Sequence, residues 1–578
     1  MRIRPVAFIA AAVFVAAGCS KSAAPAADAG KTAAAASASS ASPPMAMPGP
    51  PASLAGWAQG AQLFDNLGTF HRTVTTAAPD AQTYFDQGMR LMFAFNHDEA
   101  TRSFAKAAEI DPTCAMCFWG ASLTVGPNYN FPVMPEPRAK VAWEALQKAE
   151  AQAAHTTPVE RALIAALAHR YTGPQPLDPS NSNPVLVSYA NAMRDVAHTY
   201  ADDMDVQVLF AEAMMDTNAW KLWTVDGKPA IGTPEIEQTL ERVLAKDPMH
   251  PGANHYYIHT MEASPHPEKA LASAERLHDM MPGAGHLQHM PAHILQRVGR
   301  YEDAAQANRD GAAADAAYMA KTSPIDYYGM YYAHNYQFLA YAASMEGRKA
   351  EALDAVQKMR GMIPVDMLLQ MPGLDWTLTE AYDVMVRFGD WDALLAEKAP
   401  DPRLAALTGG YLYARTLALA ATNRAADARA ALTALEAHVK SLPPDAGAGL
   451  NSAAGIFSVA VPVARAFVAR AEGRPADAIP LLREAAAKED ALSYDEPADW
   501  FVPVRHHLGA LLLAQGRPAE ADVVYREDLA RHPNNGWALF GLAQALTAEK
   551  KTAEAAKVTQ QFQEAWKHAD VTLTASVF

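Results

Sequence analysis

Residues 84–112, YFDQGMRLMFAFNHDEATRSFAKAAEIDP, decide the fold. Gly88, Ala100 and Ala107 are small, Phe104 is aromatic and Pro112 ends the run. Small residues let the two helices of a hairpin approach closely, an aromatic ring fills the space between hairpins, and a proline stops the second helix. Comparable units follow at GRYEDA (299–304), GRKAEA (347–352), GDWDAL (389–394), NRAADA (423–428), GRPADA (473–478) and GRPAEA (516–521). In each, a glycine or asparagine ends one helix and the alanine-bearing segment starts the next. Residues 81–570 thus read as about ten or eleven stacked hairpins.

Composition agrees with one long helical array. Half of the 578 residues are apolar and Gly and Pro are modest. The formal charge of -15 argues against a nucleic-acid or anionic-membrane surface, because both would repel an acidic protein.

The N-terminus reads as a processing segment. Arg2 and Arg4 precede an apolar run from Val6 to Ala17 that is too short for a permanent membrane span and ends in AAGC. It resembles a bacterial lipoprotein signal, with Ala16 where Leu is commoner. The resemblance implies that Cys19 becomes the lipidated first residue, anchoring the protein to a membrane, the outer one expected, on its periplasmic side. The competing reading is an ordinary secretory signal. The expected organisation is a signal over 1–18, a tether over 19–60 rich in Ala, Ser, Pro and Gly, and the helical array over 61–578.

The hairpin units resemble tetratricopeptide repeats, which implies an all-α superhelical solenoid. In that family the first helix of each hairpin lines the concave face, with repeat positions two, five, nine and twelve pointing into the groove. Pro251 and Gly285 take position one of consecutive repeats, because Pro282 and Ala304 then fall on the terminating and small positions. His255, His259 and Glu262 occupy positions five, nine and twelve. His286, His289 and His293 occupy two, five and nine. After an insertion of about fourteen residues, a repeat starting at Ala333 puts His334 at two and Tyr341 at nine. A histidine-rich groove over 250–341 follows.

Residues 250–293 hold eight of the nineteen histidines, where even scatter would place about 1.4. Residues three or four apart share a helical face, and packed helices lie about 8–10 Å apart, so imidazoles from two helices can converge on one ion at about 2.0–2.1 Å. Such a set suits zinc, copper, nickel or iron. No glutamate follows the first histidine of HYYIH, so this is not the HExxH motif of zinc proteases; Glu262 is a candidate ligand or general base. The bland reading is a polar groove of solvated histidines that binds a peptide or carboxylate directly. His250, His266 and His278 receive no role.

Cys114 and Cys117 in DPTCAMCFWG flank a helix start. A local disulfide is expected in an exported protein, with redox or soft-metal chemistry as the alternative. Asn96, His97 and the loop GPNYN (126–130) are weak candidates for roofing the groove. The tyrosine-rich run 326–341 offers groove surface, while Trp220, Trp223, Trp376 and Trp500 read as core, as do Met280, Met281 and Met290. The leading expectation is a scaffold that holds a protein or peptide partner, with a transition metal in its groove. The rival is a metal-dependent enzyme, hydrolytic or oxygen-dependent, with 223–233 and 313–332 as a lid. A metal-free assembly module is the third.

Overall fold

The computed structural model describes residues 49–178, 182–322 and 328–578. The segment expected to be a lipoprotein signal, with Cys19, lies outside them. The described chain is all-α apart from one short antiparallel pair, Gly447–Ala448 with Asn451–Ser452. Consecutive helices pair as hairpins: Pro79–Phe93 with His97–Ile110, Ala115–Val125 with Glu136–Gln152, and so on to Gly536–Ala548 with Thr552–Ala565. This is the expected tetratricopeptide-like solenoid. Within the segment expected as tether, the short helix Leu54–Ala58 buries Trp57 completely.

The turn signals act as their chemistry requires. Gly299, Gly347, Gly389, Asn423, Gly473 and Gly516 all adopt φ between 59° and 76°, the left-handed cap that ends one helix before the next begins. The small and aromatic residues of the first two hairpins meet as a unit. Phe104 is fully buried, and a methyl group on Gly88 or Gly120 would sit 2.6 or 2.4 Å from its ring. Tyr525 plays the same part between Gly509 and Gly541 near the other end.

The array also folds onto itself. Near its start, Gly283 N donates to Asn66 O at 2.8 Å and the Tyr318 hydroxyl donates to Glu99 at 3.0 Å. Near its end, Trp537 Nε1 donates to Ser344 O at 2.8 Å and Lys349 N donates to Asp570 at 2.7 Å. Segments far apart in sequence thereby cover the middle repeats. The groove expected at 250–341 is consequently an interior, a correction that follows from these end-to-middle contacts.

The fit at Phe104 has a measurable consequence. Gly120→Ala should destabilise the protein, since overpacking costs about 1–3 kcal/mol against a gain of about 1 kcal/mol in helix propensity. Gly361→Ala, where an added methyl meets nothing within 4 Å, should not. Chemical denaturation of both variants checks the contrast.

Candidate metal centre

Three consecutive first helices supply the histidines. Pro251–Met261 carries His255 and His259. The next is interrupted at Met290, because Pro291 lacks an amide hydrogen, and its halves Gly285–His289 and Pro291–Arg297 carry His286, His289 and His293. Tyr328–Met345 carries His334. The donor atoms fall into three groups, each within 4.8 Å: His255, His259 and His286; His289, His293 and His334; Glu262, His293 and Glu496.

These side chains are enclosed. His255, His259, His286, His289 and His293 are 0–4 % exposed, and His334 is half-buried. Phe95 stacks on His259 and His286 with ring centroids 5.4 and 5.7 Å away. Its φ of 54° is unusual for a bulky residue and is held by the tight turn before Asn96, whose side chain caps the next helix. Tyr129 of the GPNYN loop lies 5.2 Å from the His259 ring, Tyr331 4.6 Å from His286, and Phe338 4.9 Å from His293.

The hydrogen bonds set the imidazole tautomers. His255 Nδ1 donates to the Phe93 carbonyl at 2.6 Å, which leaves Nε2 with a lone pair facing His286 Nε2 at 3.2 Å. His289 Nδ1 donates to Asn308 Oδ1 at 2.7 Å, and that amide is oriented by its own donation to Ala304 O at 2.7 Å. His289 Nε2 then faces His293 Nε2 at 2.7 Å. His334 Nδ1 bonds Gln337 Oε1 at 2.9 Å, and Gln337 is held by Glu380. Glu262 serves two rings: Oε1 is 3.1 Å from His259 Nδ1, and Oε2 is 3.0 Å from His293 Nδ1. Glu496 also touches His293 Nδ1. His259 Nε2 and His286 Nδ1 are buried without hydrogen-bond partners.

Burial keeps four of the rings, His255, His286, His289 and His334, neutral. Burial, reinforced by neighbouring histidines, pushes His255, His286 and His289 well below the ordinary imidazole range, and His334 falls to about 4. Burial also opposes ionisation of Glu262, yet His259 and His293 outweigh it and hold the carboxyl at about 2. Glu496 is pushed up by burial and by the Glu262 charge, and so enters the site as a neutral acid. Where Nδ1 carries the proton, as in His255 and His289, Nε2 presents a lone pair to the neighbouring ring, which an Nε2 proton of that ring or a cation satisfies.

Two cavities adjoin the cluster. One of about 20 Å³, lined by Tyr129, Trp220, Leu222, His259, Glu262 and Glu496 among others, has room for about one water. The other, about 210 Å³, extends from the exposed Asp65 and Lys321 past Asn96 and Tyr328 to His286. Of the segments expected to form a lid, 313–332 contributes Tyr328 and Tyr331, while 323–327 lies outside the described residues. Trp223 of the other donates to Thr260 O at 2.7 Å.

The remaining candidates fall elsewhere. Cys114 and Cys117 form a disulfide that is fully buried at the start of Ala115–Val125. Tyr341, expected on the groove wall, is 5 % exposed and packs edge-on against Phe501 at 5.3 Å. His97 is buried against Phe95, its pKa lowered to about 3 by burial and by Arg170 and Arg138. Sequence reasoning missed Glu496 and Phe95. Glu496 lies in the inter-repeat insertion YDEPADW, where no repeat position links it to His293, and Phe95 reads as ordinary core.

Residues 512–565 match the tetratricopeptide repeat family. No curated protein matches the chain. Among solved structures, the APC/C hetero-tetramer Cut9-Hcn1 is 13 % identical over 81 % of this chain and 76 % of that one, with a TM-score of 0.31. Human IFIT1 dimers with m7Gppp-AAAA and with PPP-AAAA are 11 % and 10 % identical, covering 78 % and 85 % of this chain and 90 % and 95 % of theirs, each with a TM-score of 0.32. These values carry no inference about ligands.

A buried polar atom without a partner costs about 1–3 kcal/mol. His286→Leu should therefore leave the metal-free protein at least as stable as the parent while reducing any stabilisation by added zinc. Thermal melts with and without zinc check this; a clear loss of stability in the metal-free variant would make His286 a packing residue.

Proposed function

We propose that this chain is a metalloprotein that holds a transition metal inside its helical array, with imidazole nitrogens as the principal ligands. The observation that carries the reading is the convergence of histidine donor atoms in groups within 4.8 Å of one another, from rings whose Nδ1 atoms are held by Phe93, Asn308, Gln337 and Glu262. Protein groups that fix the non-coordinating nitrogen are a recurrent feature of metal sites. Zinc, copper and iron all fit the donor type.

Arrays of this kind commonly bind on their concave face; with the cluster enclosed there, a protein or peptide partner is left to the outer surface of the repeats. Chemistry on a small molecule is the second reading, favoured by the water-sized cavity against His259 and the larger one reaching His286. Three nitrogen ligands with a position left for water or substrate is the arrangement of catalytic sites. Glu262, with an oxygen directed at each of two imidazoles, serves better in orienting ligands than as a free base. Anchoring through a lipid on Cys19, facing the periplasm, completes the proposal and rests on the signal sequence.

The test is metal content by mass spectrometry on protein starting after Cys19 and purified without a histidine tag. Its comparison is the combined variant His255→Ala, His259→Ala, His289→Ala and His293→Ala, with circular dichroism confirming the fold. Metal near or above one equivalent, lost in the variant, is expected; no metal in either would leave a metal-free scaffold. Separately, Cys19→Ser in the full chain should move the protein from the membrane to the soluble fraction, and continued membrane association would rule out the lipid anchor.

A further inference from the structure

The two all-histidine groups are the same device used twice, displaced by one repeat. The first consists of position five (His255) and position nine (His259) of one repeat with position two (His286) of the next. The second consists of position five (His289) and position nine (His293) of that next repeat with position two (His334) of the one after. No residue is shared between them. Stacked hairpins relate neighbouring repeats by a near-constant rotation and rise, so a constellation built from fixed positions is regenerated at the following step.

Local geometry repeats as well. Within each group the position-five and position-nine rings are one helical turn apart, with centroids 4.9 Å apart in the first and 4.7 Å in the second. The position-five ring meets the position-two ring of the next helix at 5.0 Å in the first and 4.8 Å in the second. Both position-five rings have Nδ1 committed to an oxygen acceptor, Phe93 O in one and Asn308 Oδ1 in the other. Glu262 stands between the groups, one carboxylate oxygen toward each position-nine Nδ1. Among the described residues no set of donor atoms lying within 4.8 Å of one another holds all six histidines; they fall into these two triads, with Glu262, His293 and Glu496 as a third group.

From this repetition we infer that the protein binds two transition-metal ions, one on His255, His259 and His286 and the other on His289, His293 and His334, linked by the Glu262 carboxylate. The inference rests on the metal reading above and adds the number and partition of the ions. In this arrangement Glu262 is a positioning residue for both sites, accepting from His259 Nδ1 and lying 3.0 Å from His293 Nδ1.

Cobalt titration of the metal-free protein starting after Cys19, followed by visible absorption, tests it. Two equivalents are expected for the parent, and one each for His255→Ala and His334→Ala, because each variant cripples a different group. A single equivalent in the parent overturns the two-ion assignment whatever the variants do, so the test survives a variant that does not fold. Loss of the second equivalent in Glu496→Gln but not in His334→Ala would place that ion on Glu262, His293 and Glu496, and would also overturn it. No cobalt bound at all would instead refute the metal reading itself.

Discussion

Imidazole rings can be taken out of water only if their nitrogens find partners, and this requirement organises the middle of the molecule. Leaving a polar group buried and unpaired costs a few kcal/mol, and the cluster holds six rings within a few ångströms of one another. The protein meets part of the demand. Phe93, Asn308, Gln337 and Glu262 come from four different elements and each occupies one Nδ1. The inward-facing Nε2 atoms meet one another, His255 with His286 at 3.2 Å and His289 with His293 at 2.7 Å. A cation is the simplest group that turns the arrangement from a cost into a stabilising feature, because metal binding free energy then adds to folding free energy.

Closure of the array follows the same logic. An open groove would let water satisfy the histidines and compete for a metal. Here Phe95 and Tyr129 from the early repeats, together with Glu496 from a late insertion, exclude it. The cost is local, since Phe95 adopts a left-handed backbone to place its ring. What remains accessible is small: a space for about one water beside His259 and a cavity from the surface to His286. Such a site favours small ligands and excludes polypeptides.

The helical array was legible in the sequence because its rules are local. A glycine or asparagine in the left-handed cap, a small residue opposite an aromatic ring and a terminating proline are each set within one hairpin, and Gly88, Phe104 and Gly299 all do what their chemistry suggests. Repeat register also brought His255, His259, His286, His289, His293 and His334 together, since positions five, nine and two are fixed by helix geometry. Burial was not legible. It depends on contacts such as Glu496 with His293 and Trp537 with Ser344, which join segments about two hundred residues apart through the curvature of the whole array. Tyr341 shows the limit of register alone: the same position nine that serves His259 and His293 sets its ring against Phe501, because a late loop fills that part of the interior.

The central claim is that the Nε2 atoms, and not the carboxylates, hold metal. Anomalous X-ray diffraction at the absorption edge of the bound metal, on crystals of the loaded protein, tests it most directly. The account predicts a peak about 2.0–2.1 Å from the Nε2 atoms of His255, His259 and His286. Density centred instead between Glu262 and Glu496, or absent from the cluster while metal is found elsewhere on the protein, would contradict it.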